Sequence, residues 1–172
     1  EPKDLKNTEG WWNSIAGADF DNDGDTDYIL GNQGLNNKFK ASPEEPLSIY
    51  AKDFDNDGRI DPVMSYFING ENQISHSRDE IIKQMNVMRV RFKTYQSYAE
   101  TTFNKSFLPE ELEDAYVVKS YNFATSYLEN LGDGNFKLHQ MPLISQISPV
   151  EGIVVDDINQ DGNLDVLLTG NA

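Results

Sequence analysis

Three stretches of the chain pass from a run of aspartates straight into apolar residues. Tyr28-Ile-Leu30, Pro62-Val-Met64 and Val166-Leu-Leu168 each follow an acidic, glycine-containing segment, and each reads as a strand. Between the second and third the periodicity changes. Ser77 followed by Glu80 is a capping-box signature. Ile81, Met85, Met88 and Phe92 then recur on one face of a helix. A second segment carries Tyr95, Tyr98, Ala99 and Phe103, and a third opens at Pro109-Glu-Glu-Leu112, where proline and acids suit a first helical turn. Strand character resumes at Tyr116-Val-Val118 and around Thr125-Ser-Tyr-Leu128. The pattern predicts a mainly β chain with a helical insertion at about residues 77–115. Its Met and aromatic face is expected to pack as core, with partner binding as the competing reading.

Charge sharpens this picture. The chain has 172 residues and a formal net charge of −15, with 29 acids. Twelve of these acids fall in three nonapeptides, Asp19–Asp27, Asp53–Asp61 and Asp157–Asp165, which contain a single base, Arg59. The nonapeptides therefore carry −11 and the other 145 residues only −4. Carboxylates this close repel one another, and folding raises their pKa values unless a cation sits among them. The composition, 38% hydrophobic with 19 aromatics, is enough for a core. With no cysteine there is no disulfide, no Cys-ligated metal and no thiol nucleophile. A pI near 4.3 argues against nucleic acid and anionic lipid. No apolar run is long enough to span a bilayer, so membrane insertion is not expected. The chain opens Glu1-Pro2-Lys3 without a leader pattern and reads as a mature or excised segment.

Aligned, the nonapeptides share one frame: Asp at position 1, Asp or Asn at 3, Asp at 5, Gly at 6 and Asp at 9. Closely spaced oxygen donors suit a hard cation, and calcium accepts six to eight of them in flexible geometry. Gly24, Gly58 and Gly162 allow the bend such a loop needs. Position 7 varies freely (Asp25, Arg59, Asn163), as expected if only its backbone carbonyl coordinates. An EF-hand is excluded, because it needs an acid at position 12, where Leu30, Met64 and Leu168 stand. Three Asp-Asn-Gly turns without an ion are the simpler reading, but turns need one or two such residues rather than five in register, three times.

Strand, D-x-D-x-D-G-x-x-D loop, strand resembles the FG-GAP/VCBS-type repeats that build calcium-binding β-propellers in integrin α chains and bacterial surface proteins. Supporting matches are Ala16-Gly-Ala-Asp19, Gly31-Asn32, Gly170-Asn171 and the hairpin-like Leu128-Glu-Asn-Leu-Gly-Asp-Gly-Asn-Phe136. The resemblance implies a partial β-propeller of two to three blades with a helical insertion, the whole of residues 1–172 forming a single repeat domain, a fragment of a larger propeller. It implies about three Ca2+ sites. The side-chain ligands would be Asp19, Asp21, Asp23 and Asp27; Asp53, Asp55, Asp57 and Asp61; and Asp157, Asn159, Asp161 and Asp165. Asp25, Arg59 and Asn163 would add backbone carbonyls. The third loop, with Asn159, is expected to bind most weakly. A short first interval between loops predicts a missing or rudimentary outer strand around Ser42–Pro46.

No catalytic constellation appears. His76 and His139 have no paired metal spacing, Gly31–Lys38 lacks the ending of a phosphate loop, and Gly132-Asp-Gly134 is a hairpin turn. Trp11-Trp12, read as strand, would bury one indole and expose the other to a partner or sugar. The expected protein is a non-enzymatic, calcium-stabilised, extracytoplasmic module, secreted, periplasmic or at the cell surface. It would contact a protein or glycan and self-associate through open sheet edges. The competing readings are a propeller-type polysaccharide lyase or hydrolase with its site on the helical insert, and a pure spacer.

Overall fold

The computed structural model describes residues 5–171. The chain is mainly β, 35% strand against 17% helix, in several antiparallel sheets, none of them closed among the described residues. It divides into two compact units, one built from residues up to Lys38 and from Ser120 onward, the other from Phe39–Lys119.

In the first unit, β1 (Ser14–Ala18) and β2 (Asp27–Gly31) form a hairpin around the first acidic loop. β7 (Ser126–Asn130) adds to β2, and β8 (Phe136–Gln140) adds to β7, giving the order β1-β2-β7-β8. The turn between β7 and β8 is the glycine-rich segment read as a hairpin. Gly132, Asp133 and Gly134 all take positive φ there, and Leu131 donates to the Asn135 carbonyl at 2.9 Å. β9 (Val150–Asp156) and β10 (Asp165–Gly170) form a separate two-stranded sheet around the third loop. Ile29, Phe123, Ala124 and Val150 are buried here. Two fully buried amides stitch the loops together. Asn32 Nδ2 donates to the Asn122 carbonyl at 3.0 Å, while Gln146 both accepts from Thr125 N–H (2.9 Å) and donates to its carbonyl (2.8 Å). Buried amides survive only when their donors and acceptors are matched in this way.

In the second unit, β3 (Leu47–Lys52) and β4 (Asp61–Ile68) enclose the second loop. β5 (Glu71–Ile74) and β6 (Tyr116–Ser120) complete the order β5-β4-β3-β6. No strand forms over Ser42–Pro46, while the sheet that carries the first loop has four strands. The insertion is helical where expected but broken into short pieces: α1 (Arg78–Gln84), α2 (Met88–Arg91), α3 (Tyr95–Ala99), α4 (Phe103–Ser106) and α5 (Pro109–Leu112). The capping box is formed, with Ser77 N–H donating to Glu80 Oε2 at 2.7 Å. The stripe read as one helix is two, because Met85 is extended (φ −126°, ψ 94°). That break costs the stripe nothing in burial: Ile81, Met85, Met88 and Phe92 all lie in one core with Val63, Phe103 and Phe107. Phe103 stacks on Tyr50 of β3 at 4.6 Å between ring centres, and Phe107 packs on Phe54 at 5.3 Å. The insert's apolar face is therefore core. Tyr116-Val-Val118 is strand as read, though all three side chains stay exposed.

Trp11-Trp12 departs from its expectation. The pair precedes β1 and is not strand, so the alternation rule does not apply. Both indoles are half-buried. Trp11 packs edge-on against Phe123 at 5.1 Å, and Trp12 Nε1 donates to the Thr8 carbonyl at 3.2 Å.

Candidate metal centre

Each acidic nonapeptide closes an antiparallel hairpin in the same register. The residue before the loop pairs with position 9 in all three: Ala18 with Asp27, Lys52 with Asp61, Asp156 with Asp165. The chain therefore crosses the same gap three times, and the internal hydrogen bonds repeat.

Position 1 binds the turn through both oxygens. Asp19 accepts from Asp23 N–H and Gly24 N–H (both 3.1 Å), Asp53 from Asp57 N–H (3.1 Å) and Gly58 N–H (2.9 Å), and Asp157 from Asp161 N–H (3.0 Å) and Gly162 N–H (2.9 Å). Position 5 accepts the N–H of position 7: Asp23 from Asp25 (3.0 Å), Asp57 from Arg59 (2.9 Å) and Asp161 from Asn163 (2.9 Å). Position 9 reaches back to the N–H of position 2: Asp27 to Phe20 (3.2 Å), Asp61 to Phe54 (3.1 Å) and Asp165 to Ile158 (3.1 Å). Aspartate is needed where it occurs because a two-oxygen side chain on a short stem can accept from the backbone and still present an oxygen inward.

The backbone curls through two left-handed residues. Gly24, Gly58 and Gly162 have φ of 96°, 89° and 89°, as the sequence required. Position 4 does the same without glycine: Asn22, Asn56 and Gln160 have φ of 62°, 60° and 64°. Sequence reading passed over that position, although asparagine tolerates this region well enough to have signalled it. It also passed over position 2, where Phe20 packs edge-on against Tyr127 at 5.9 Å and Phe54 packs on Phe107. These rings anchor the first two loops. Ile158, their counterpart in the third, is exposed.

Carboxylate oxygens of Asp19, Asp21 and Asp27 lie within 4.8 Å of one another, and so do those of Asp53, Asp55 and Asp61. Oxygens on opposite sides of a calcium ion stand roughly 5 Å apart, given bonds of about 2.3–2.6 Å, so both triads fit one. Asp55 Oδ1 is buried without a hydrogen-bond donor among the described residues. Asp25 Oδ1 is likewise buried and unpartnered. Asp23 and Asp57 stand outside the triads. Among the described residues the third loop forms no such acidic triad. Asn159 replaces the acid there and turns its Nδ2 to Asp161 Oδ2 at 3.1 Å, while Asp161 Oδ1 takes Asn163 N–H and Nδ2.

Electrostatics separate the loops in the same way. Burial, then repulsion from Asp23, Asp27 and Asp19, pushes the Asp21 carboxyl above its ordinary value, against the pull of Asp23 N–H. Asp25 rises through burial and the repulsion of Asp23, Asp27, Asp21 and Asp19. Asp61 rises for the same reasons, burial first, partly offset by Phe54 N–H. Asp161 is instead pulled down, chiefly by Asn163 N–H and then by the Asn163 and Asn159 amides. The first two loops thus hold carboxylates in an unfavourable ionised state that a cation would relieve. In the third, amide donors stabilise the Asp161 carboxylate in its charged form.

Position 9 is the most deeply placed acid, with Asp27 fully buried and Asp61 nearly so. The two are supported differently. Asp27 also accepts from Tyr127 Oη at 2.8 Å and Asn130 N–H at 2.8 Å, both from β7. The second loop is steadied instead by Lys52, whose Nζ donates to the Glu111 (3.1 Å) and Glu113 (2.6 Å) carbonyls at the end of the helical insert. The histidines stand apart from the acidic triads: His76 Nε2 accepts Met64 N–H at 3.3 Å, and His139 pairs with Glu129 at 2.7 Å.

Comparison of the chain with protein-family models, with curated proteins and with solved structures finds no match.

Proposed function

We propose that this protein is a non-enzymatic calcium-binding module whose acidic hairpin loops each wrap one Ca2+, as in the propeller-type repeats its loops resemble. One observation carries the reading: the same loop, with the same register and the same three sets of internal hydrogen bonds, is built three times, and in two copies the carboxylates converge to coordination distance. The ion's role is structural. It offsets the repulsion among the carboxylates and holds the strand-to-strand crossing. Asp19, Asp21 and Asp27 would hold the first ion, Asp53, Asp55 and Asp61 the second. Asp157, Asn159, Asp161 and Asp165 would form a weaker third site.

Extracellular calcium modules bind with Kd of roughly 0.1–1 mM, and free calcium at about ten times Kd adds about 1.4 kcal/mol per site. Such sites are filled where calcium is millimolar, which supports an extracytoplasmic address. The four-stranded sheets would be blades of a larger propeller, presenting a surface to a protein or glycan. The outer edge of β10 has no neighbouring strand among the described residues, which favours self-association there. Among the described residues no helix is long and apolar enough to cross a membrane.

Calorimetric titration with calcium, beside thermal melting in calcium and in EDTA, tests the reading. Two tighter sites, a weaker third and a higher midpoint in calcium are expected. No heat of binding together with an unchanged midpoint would overturn it.

A further inference from the structure

A groove of about 500 Å³ opens beside the first acidic loop, lined by Phe20, Ile29, Tyr127, Met141 and Pro142, with Asp21, Glu129, His139 and Gln140 as its polar members. Its size falls within the roughly 300–1,000 Å³ of ordinary ligand sites. The walls are apolar and aromatic, with Tyr127 stacked between the His139 ring and the edge of Phe20 at 5.9 Å from each. Its acids are Asp21 from the loop and Glu129 from β7. Glu129 gives Oε2 to His139, and Oε1 makes no hydrogen bond among the described residues. No lysine or arginine lines the groove. Lys137 stands opposite Glu129 in the β7–β8 register but does not reach the lining.

An apolar channel that ends at Glu129, whose Oε2 is held by His139, fits an aliphatic stem that carries a positive head. The surrounding field has the same sign. The first loop holds five acids and no base, so it stays negative even after taking up one divalent ion. The geometry points to this groove as a docking site for the basic side chain, lysine or arginine, of a partner polypeptide. The methylenes would lie along Phe20, Met141 and Pro142, and the head would meet Glu129; Asp21, a ligand of the first ion in the proposed function, would meet it only in the ion-free protein. Because the groove is formed by side chains outside the ion's triad except for Asp21, the inference does not depend on calcium binding.

The test is titration of the calcium-loaded protein with acetyl-Gly-Lys-Gly-amide, followed by heteronuclear chemical shifts and by calorimetry. Control peptides carry arginine, norleucine or glutamate at the central position. Lysine and arginine peptides should shift the resonances of Phe20, His139 and Met141. The norleucine peptide, of similar shape but uncharged, should bind about tenfold more weakly, and the glutamate peptide not at all. Glu129→Gln keeps the bond to His139 and should weaken the lysine peptide about tenfold. Gln140→Lys, at an exposed rim position, should weaken it as well; calcium binding should be unchanged in both. Equal binding of norleucine and lysine peptides, or lysine binding indifferent to both substitutions, would overturn the assignment. The same titration in EDTA should give equal or tighter binding. Loss of calcium binding alone would bear on the metal reading, not on this one.

Discussion

Tyr127 donates its phenolic hydrogen to Asp27 Oδ2 across 2.8 Å, from a strand a hundred residues further along the chain. Asp27 is fully buried, and with Phe20 N–H and Asn130 N–H it accepts three hydrogen bonds. A buried carboxylate is tolerated only with such donors. The position-9 acid is thus held in place by β7 before any ion arrives.

Tyr127→Phe removes one of those donors and leaves the ring in place. Stability at neutral pH should fall by about 1–3 kcal/mol, as for a hydrogen bond to a charged acceptor. Calcium affinity at the first loop should drop about tenfold, the usual effect of losing a group that orients a ligand. Denaturant unfolding and calorimetry check the two effects separately.

The same bond sets an alkaline limit. Burial first, then the bond to Asp27 and the charges of Asp27, Asp21 and Glu129, push the Tyr127 phenol well above its ordinary value. Burial and Glu80 push Tyr98 up to about 12. Below about pH 10 both folded and unfolded states hold these protons, and the stabilisation is fully present. Above it the unfolded chain ionises while the folded phenols stay neutral, so stability falls as pH rises. Melting from pH 8 to 11 should show this decline, and Tyr127→Phe should flatten it.

Asp25 and Asp21 predict opposite responses to the ion. Both carboxyls lie above their ordinary values, chiefly through burial and then through their neighbours. Each raised carboxyl therefore costs stability at neutral pH, a penalty absent in acid that grows as pH rises through the raised value. Asp25→Asn and Asp21→Asn should both raise the melting midpoint in EDTA at pH 7. In calcium they should part. Asp25→Asn keeps its backbone carbonyl and its ion, whereas Asp21→Asn loses a carboxylate of the triad and binds the ion more weakly. If both variants melt below the parent in EDTA, the repulsion argument fails.

Asn159→Asp restores to the third loop the acid that Asp21 and Asp55 supply in the others. The Asn159 Nδ2 bond to Asp161 disappears, and the loop's carboxylates rise from three to four. The third calcium site should tighten about tenfold, read as a change in the weakest step of the calorimetric isotherm. An unchanged isotherm would mean that the exposed Ile158 anchor, not the missing charge, limits this loop.

Phe103 is fully buried between Tyr50 and Phe107. Phe103→Ala should cost about 3–5 kcal/mol and loosen the packing of Phe54, the ring that anchors the second loop. Near-ultraviolet circular dichroism and chemical denaturation would register both.

Local chemistry made much of this legible in the chain itself. Asp-x-Asp/Asn-x-Asp-Gly spacing dictated three curled loops, because side-chain oxygens two residues apart meet backbone N–H groups when glycine bends the chain. The apolar residues after each loop dictated strands, and Ser77 with Glu80 dictated a helix start. These are interactions between near neighbours, and they are the same wherever such a stretch occurs. Tertiary structure decided the rest. Met85 is extended and splits the stripe into two helices, while Ile81, Met85, Met88 and Phe92 still share one core. Trp11 is covered because Phe123 meets it. Asp27 gained Tyr127 and Asn130, the second loop gained Phe107 and Lys52's tether to the insert, and the third gained no such support among the described residues. Three loops written alike thus differ in how firmly they are held, because the partners that fix their carboxylates come from distant parts of the chain and no local pattern records them.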